Sequence, residues 1–172
     1  PAVASSCEGA DETVLTWLDK MSRSLHQNNY HGVATLQRKD DMQVVQLSHL
    51  VDKGMSNERI TRLTGQGAQV DRLAHPLECR HPGHKLPRLS ADAEKGDCGL
   101  ANSYRFEMGA SERIAGRAAV LIDIRPRDMY RYGYTLALDK ETGLLLKAET
   151  RGAGDVTLER FQYANLYYDK RA

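Results

Sequence analysis

The sequence predicts a mainly β (α+β) fold: one large antiparallel sheet covered by one or more helices. Three observations carry this. A single stretch shows a clear helical period. Most of the chain beyond that stretch alternates with a period of two. The links between several of the alternating runs are short and bear glycine, which joins neighbouring strands antiparallel. So many strands with so few helices exclude a doubly wound α/β fold.

The helix is expected from about Asp11 to Gln27, where Val14, Leu15, Trp17, Leu18, Met21 and Leu25 form one apolar stripe. Asn28 and Asn29 favour a turn and end it. Strands are then expected over Tyr30–Arg38, Met42–Val51, Glu58–Leu63 and Gln69–Leu73. Five more are expected over Asn102–Met108, Arg117–Arg125, Tyr130–Leu138, Leu144–Thr150 and Val156–Tyr163. Alternation puts Tyr104 and Phe106 on one face with Met108. It likewise groups Val120, Ile122 and Ile124, and then Tyr132, Tyr134, Leu136 and Leu138. The connections 139–143 and 151–155 have hairpin length, with glycine where a positive φ is expected.

One 17-residue helix spans only about 25 Å, too little to cover nine strands. Sheet curvature, a long loop or a cavity must account for the remainder of the apolar face. The helix residues Trp17, Met21 and Leu25, together with the sheet residues just grouped, are therefore the candidates for lining an apolar cavity. For most of them, ordinary core is the competing reading.

Length and composition set the outer limits. The 172 residues suffice for one domain with a real core. Residues 1–10 are read as a loose arm and 11–172 as a single domain. Lys plus Arg number 24 and Asp plus Glu 23, so no concentrated basic face is expected and nucleic acid is not a partner. No apolar run is long enough to span a membrane. No charged segment followed by an apolar one opens the sequence, and a start at Pro1 is compatible with a signal peptide already removed.

Cys79 and Cys98 bracket a Pro- and Gly-rich stretch and predict a disulfide-closed loop, hence an oxidising compartment. Two unrelated thiols are the alternative, and Cys7 has no evident partner. His75, Cys79, His81, His84 and Cys98 have zinc-ligand chemistry, but their spacing matches no specific motif, so neither metal nor cofactor is expected. No nucleophile elbow or catalytic cysteine context occurs, so no enzyme is expected. The run from Arg125 to Tyr132 interleaves arginine with tyrosine. Its ordinary reading is a turn followed by a strand; Arg125, Arg127 and Arg131 are the candidates for holding anionic head groups.

Several motifs in order are similar to the MucB/RseB family of periplasmic stress-response regulators. They are Trp17-Leu18-x-x-Met21, Tyr30-x-Gly32, Arg113-x-x-Gly116-Arg117, Ile124-x-Pro126-Arg127-Asp128-x-x-Arg131-Tyr132-x-Tyr134, Leu138-Asp139-x-x-Thr142-Gly143-Leu144-x-Leu146-Lys147 and Leu158-Glu159-Arg160-Phe161. The resemblance covers roughly residues 14–165, and the Cys79–Cys98 loop sides with the MucB branch. It implies a curved half-barrel covered by helices, like the lipoprotein carriers LolA and LolB. It also implies a periplasmic, non-enzymatic negative regulator in envelope-stress and alginate control. Such a regulator binds the periplasmic part of a membrane anti-sigma factor (MucA or RseA), shields it from proteolysis, and senses lipid or lipopolysaccharide. The family's smaller C-terminal domain is absent from these 172 residues, and a homo-oligomer is left open. A periplasmic lipid or lipoprotein carrier is the alternative function.

Overall fold

The computed structural model describes residues 12–64, 69–76 and 103–169. The sequence-predicted arm 1–10 and the Cys79–Cys98 bridge lie outside the described residues, as do His81 and His84 and the side chains of Leu25 and His75. The chain opens with α1 (Glu12–Gln27), followed by β1 (Tyr30–Arg38), β2 (Asp41–Asp52), β3 (Met55–Arg62) and β4 (Gln69–Pro76). Then come β5 (Tyr104–Met108), β6 (Glu112–Ile114), β7 (Arg117–Pro126), β8 (Gly133–Asp139), β9 (Leu145–Arg151), a 3-10 turn (Ala153–Asp155) and β10 (Thr157–Tyr168).

All ten described strands join one antiparallel sheet in the order β4-β3-β2-β1-β10-β9-β8-β7-β5, with β6 also paired to β7. The path is open, with β4 at one edge and β5 at the other. The fold is therefore the mainly β class with one helix among the described residues. β10 pairs with β1 rather than with a sequence neighbour on that side, so the N-terminal meander is stitched to the C-terminal one through the last strand. Register shifts at Val33/Ala34, Ser56/Glu58, Ala137/Leu138 and Thr157/Glu159 mark bulges, which bend strands and increase twist.

The helix forms because Val14, Leu18 and Met21 share one stripe, and that stripe is buried. It packs on Phe106, Val120, Ile122, Ile124, Leu136, Leu138, Leu145 and Ala148, with Trp17, Tyr104, Met108 and Tyr134 at the margin. A second cluster holds Tyr30, Ala34, Val45, Ile114, Ala119, Leu146, Tyr163 and Leu166.

Several elements differ from the sequence expectation, and β4 runs on to Pro76 rather than ending at Leu73. Strand β6 is an addition: three residues are too few to display alternation, and the two-residue Ala115-Gly116 turn takes positive φ at both positions (53° and 76°). Strand β3 begins at Met55 because Lys53 and Gly54 make the same kind of turn (50° and 75°). Strand β10 continues five residues past Tyr163 because β1 offers it a partner down to Tyr30. Strand β8 begins at Gly133, not Tyr130. Pro126 closes β7, and the Asp128 carboxylate accepts a hydrogen bond from the Tyr130 N–H at 3.0 Å, so the intervening residues form a loop.

Candidate functional site

Cross-strand register lines up Ile122, Leu136, Ala148, Phe161 and Leu36 as successive Cα partners from β7 through β8, β9 and β10 to β1. Direct partners share a face, so this is one apolar row on the side that α1 covers. Its burial falls along the way. Ile122, Leu136 and Ala148 are buried, Phe161 is half-buried, and Leu36 is 39% exposed. The helix, at 16 residues, is about 24 Å long. Nine strands spaced about 4.8 Å apart span about 38 Å. The cluster that holds the helix stripe takes its sheet residues from β5, β7, β8 and β9, and the row becomes more exposed toward β10 and β1.

Where the row emerges there is a groove of about 280 Å³. Leu36, Ala148 and Phe161 supply its apolar lining and Gln43 and Thr150 its polar one. Arg38 and Glu159 stand at the rim, paired at 2.7 Å. Phe161 leads from the groove into the second core cluster, whose aromatic rings are buried. Phe161 meets Tyr163 edge-on at 5.1 Å, Tyr163 meets Tyr30 at 6.4 Å, and Tyr30 stacks on His49 at 5.0 Å. His49 is fixed by Asn28 O at 3.2 Å on Nδ1 and by the Ser56 hydroxyl at 2.7 Å on Nε2. Burial pushes the Tyr163 phenol well above its ordinary range, so it stays neutral. The arrangement offers an apolar strip with a charged rim.

A second groove of about 350 Å³ lies where the β7–β8 and β9–β10 connections meet. Ile124 and Tyr134 contribute apolar lining, and Arg125, Arg131 and Arg151 contribute charge. Each arginine already has a carboxylate nearby: Glu107 at 3.8 Å from Arg125, Asp128 at 3.2 Å from Arg131, and Glu149 and Asp155 at 3.3 Å from Arg151.

The structure places the expected cavity residues as follows. Val120, Ile122, Ile124, Leu136 and Leu138, with Phe106, are packed beneath α1 as core, because the helix sits directly on β5, β7 and β8. Met21 is buried in the same contact, and Trp17, Tyr104 and Tyr134 border it. Tyr132, expected to point inward from a strand, lies before β8 and is 56% exposed. Of the head-group candidates, Arg125 and Arg131 line the second groove; Arg127 does not, and its backbone N–H is tied to Ser103 O at 2.9 Å. The residues that sequence reasoning passed over are Leu36, Ala148 and Phe161. The signal was present: Leu36 is in phase with Tyr30 and Ala34, and Phe161 with Tyr163. Their place beyond the helix depends on the β1–β10 pairing, which no local pattern announces.

The MucB/RseB N-terminal domain model matches residues 13–172. This chain belongs to the MucB/RseB family. It is 33% identical over 157 residues to the sigma factor AlgU regulatory protein MucB of Pseudomonas aeruginosa, covering 87% of this chain and 49% of that protein. It is 25% identical over 163 residues to the sigma-E factor regulatory protein RseB of Haemophilus influenzae, covering 90% and 52%. The chain thus spans about half the length of the curated relatives it matches. Among solved structures, MucB in complex with MucA(peri) superposes with a TM-score of 0.75 at 29% identity, covering 92% of this chain and 57% of that one. A crystal structure of MucB gives 0.76 at 28%, covering 95% and 61%. Among the described residues no helix is long and apolar enough to cross a membrane.

Proposed function

We propose that this domain is the lipid-sensing part of a periplasmic, non-enzymatic regulator. In this reading it binds the periplasmic segment of a membrane anti-sigma factor of the MucA/RseA kind, shields it from regulated proteolysis, and releases it when an acyl chain occupies the apolar face. Family membership and the likeness to MucB solved with MucA(peri) support the partner half. The observation that carries the lipid half is the apolar row that runs out from under α1 into an open groove at Leu36 and Phe161. Each CH₂ moved from water into such a groove gains about 0.8 kcal/mol, so a partly buried chain binds with useful affinity. The arginines of the second groove, Arg125 and Arg131, can hold a phosphate or carboxylate head group by exchanging their present carboxylate partners. A Cys79–Cys98 disulfide fits the same oxidising compartment.

The test is a pull-down of the full chain with the periplasmic segment of its anti-sigma factor, with and without a fatty acid or lipopolysaccharide. Capture that lipid weakens supports the regulator. Lipid binding with no capture supports a carrier instead, and neither one refutes both halves.

A further inference from the structure

The loop between β7 and β8 has a composition that lipid sensing through the apolar row does not explain. Met129 is 81% exposed, Tyr130 88% and Tyr132 56%, so three of four consecutive positions present large apolar or amphipathic side chains to solvent. Single exposed apolar residues are ordinary; a cluster at one loop tip is not. The tip is also held in shape. Asp128 accepts from the Tyr130 N–H at 3.0 Å and pairs with the Arg131 Nε at 3.2 Å, while the Arg127 N–H is fastened to Ser103 O at 2.9 Å. The loop itself holds two arginines (127, 131) against one aspartate (128), and Arg125 at the end of β7 brings the net charge of residues 125–132 to +2.

We propose that this loop is a docking tip for an anionic lipid bilayer surface. Tyrosine rings sit well at the level of lipid head groups, apolar below and polar above. Methionine adapts to the disordered acyl boundary, and arginine forks match phosphate oxygens. The loop also adjoins a place where a lipid could be received, because Met129 and Arg131 form part of the wall of the 350 Å³ groove. A folded protein partner would have to supply pockets shaped to Met129 and Tyr130, whereas a fluid interface needs none. The proposal deepens the lipid-sensing reading and rests on it for its purpose, but not for its chemistry.

The full chain is tested by co-sedimentation with vesicles of phosphatidylcholine plus phosphatidylglycerol, and with phosphatidylcholine alone. Partitioning is expected only onto the anionic vesicles and is expected to weaken with salt. Tyr130→Ser with Tyr132→Ser should lower it about tenfold, and Arg127→Gln about fivefold. Binding of a monomeric fluorescent fatty acid in solution, read on the same proteins, should not change. Failure of the parent to sediment with anionic vesicles overturns the docking tip, while retained fatty-acid binding would leave the lipid reading standing. Equal sedimentation of parent and variants also overturns it. If the double variant loses the anti-sigma segment while keeping its vesicle partitioning, the tip is a protein interface and the proposal is wrong.

Discussion

Arg117 donates from its Nε to the carboxylate of Asp139, a side chain that is only 2% exposed. The same carboxylate accepts from the Tyr168 hydroxyl at 2.7 Å and from the Glu141 N–H at 2.9 Å. The guanidinium lies 4.6 Å from the centre of the Tyr168 ring and reaches Glu141 at 2.8 Å, and Thr142 closes the set against Tyr168 at 2.7 Å. One buried ion pair thus ties the start of β7, the β8–β9 turn and the end of β10. It gives a physical reason for the Gly-Arg and Leu-Asp-x-x-Thr-Gly pieces of the family resemblance.

Asp139→Ala should therefore destabilise the domain by about 3 kcal/mol, because it strands a partly buried guanidinium and a tyrosine hydroxyl. Arg38→Ala, which breaks an exposed pair with Glu159, should cost less than about 1 kcal/mol. Urea denaturation of both variants checks this. Equal, small losses would contradict the assignment of Asp139 as a junction.

Among the described residues, two carboxylates held below their ordinary range contribute to the pH dependence of stability. Burial alone would raise Asp139, but hydrogen bonds from Tyr168, the Glu141 N–H and Arg117 outweigh it and hold it below its usual range. Burial would raise Glu149 too, and Lys147, Arg160 and Arg151 bring it down. A group depressed in the folded state contributes stability above its unfolded pKa and loses it as pH falls through the folded value. The melting temperature should thus be flat near neutrality and fall below about pH 4. Asp139→Asn should flatten that fall; an unchanged acid limb would contradict it.

Two glycines sit where a side chain does not fit. Gly143 has φ +79°, and a Cβ there would stand 2.6 Å from Lys20 Cγ and 3.0 Å from the Lys20 backbone of α1. A Cβ on Gly32 would lie 2.3 Å from the backbone oxygen of Asn165 in β10. Alanine at either should cost about 2–3 kcal/mol. Gly54→Ala, strained at φ +75° but with open space around it, should cost only about 1 kcal/mol. Comparable urea midpoints for all three would show that these contacts do not matter.

What was legible in the sequence was whatever depends on local period. Val14, Leu18 and Met21 announced the helix, and the alternation of Val120, Ile122 and Ile124 announced β7. Gly143 and Gly154 take the positive φ that their hairpins suggested. The face beneath the helix was also legible as apolar. What stayed hidden depends on long-range placement. Core and groove share one row, and only the position of α1 over β5, β7, β8 and β9 separates buried Ile122 from exposed Leu36. Tyr132 misled because its period matches Tyr134, while the turn made by Asp128 removes it from the strand.

A charge placed in the uncovered part of the row should act on binding, and one placed under the helix should act on folding. Leu36→Glu should lower binding of a fluorescent fatty acid at least about tenfold with little change in melting temperature. Ile122→Glu should prevent a cooperative melt, since it buries an unpaired charge. Parent-like binding by folded Leu36→Glu would remove this groove from consideration.

The most direct measurement is photo-crosslinking of the full chain with a diazirine-bearing fatty acid, with the adducts mapped by peptide. Lipid sensing through the uncovered row predicts adducts concentrated on the peptides of β1, β9 and β10 that carry Leu36, Ala148 and Phe161, and their loss when unlabelled fatty acid is added in excess. Adducts spread evenly over the surface, or confined to segments away from those three strands, would contradict it.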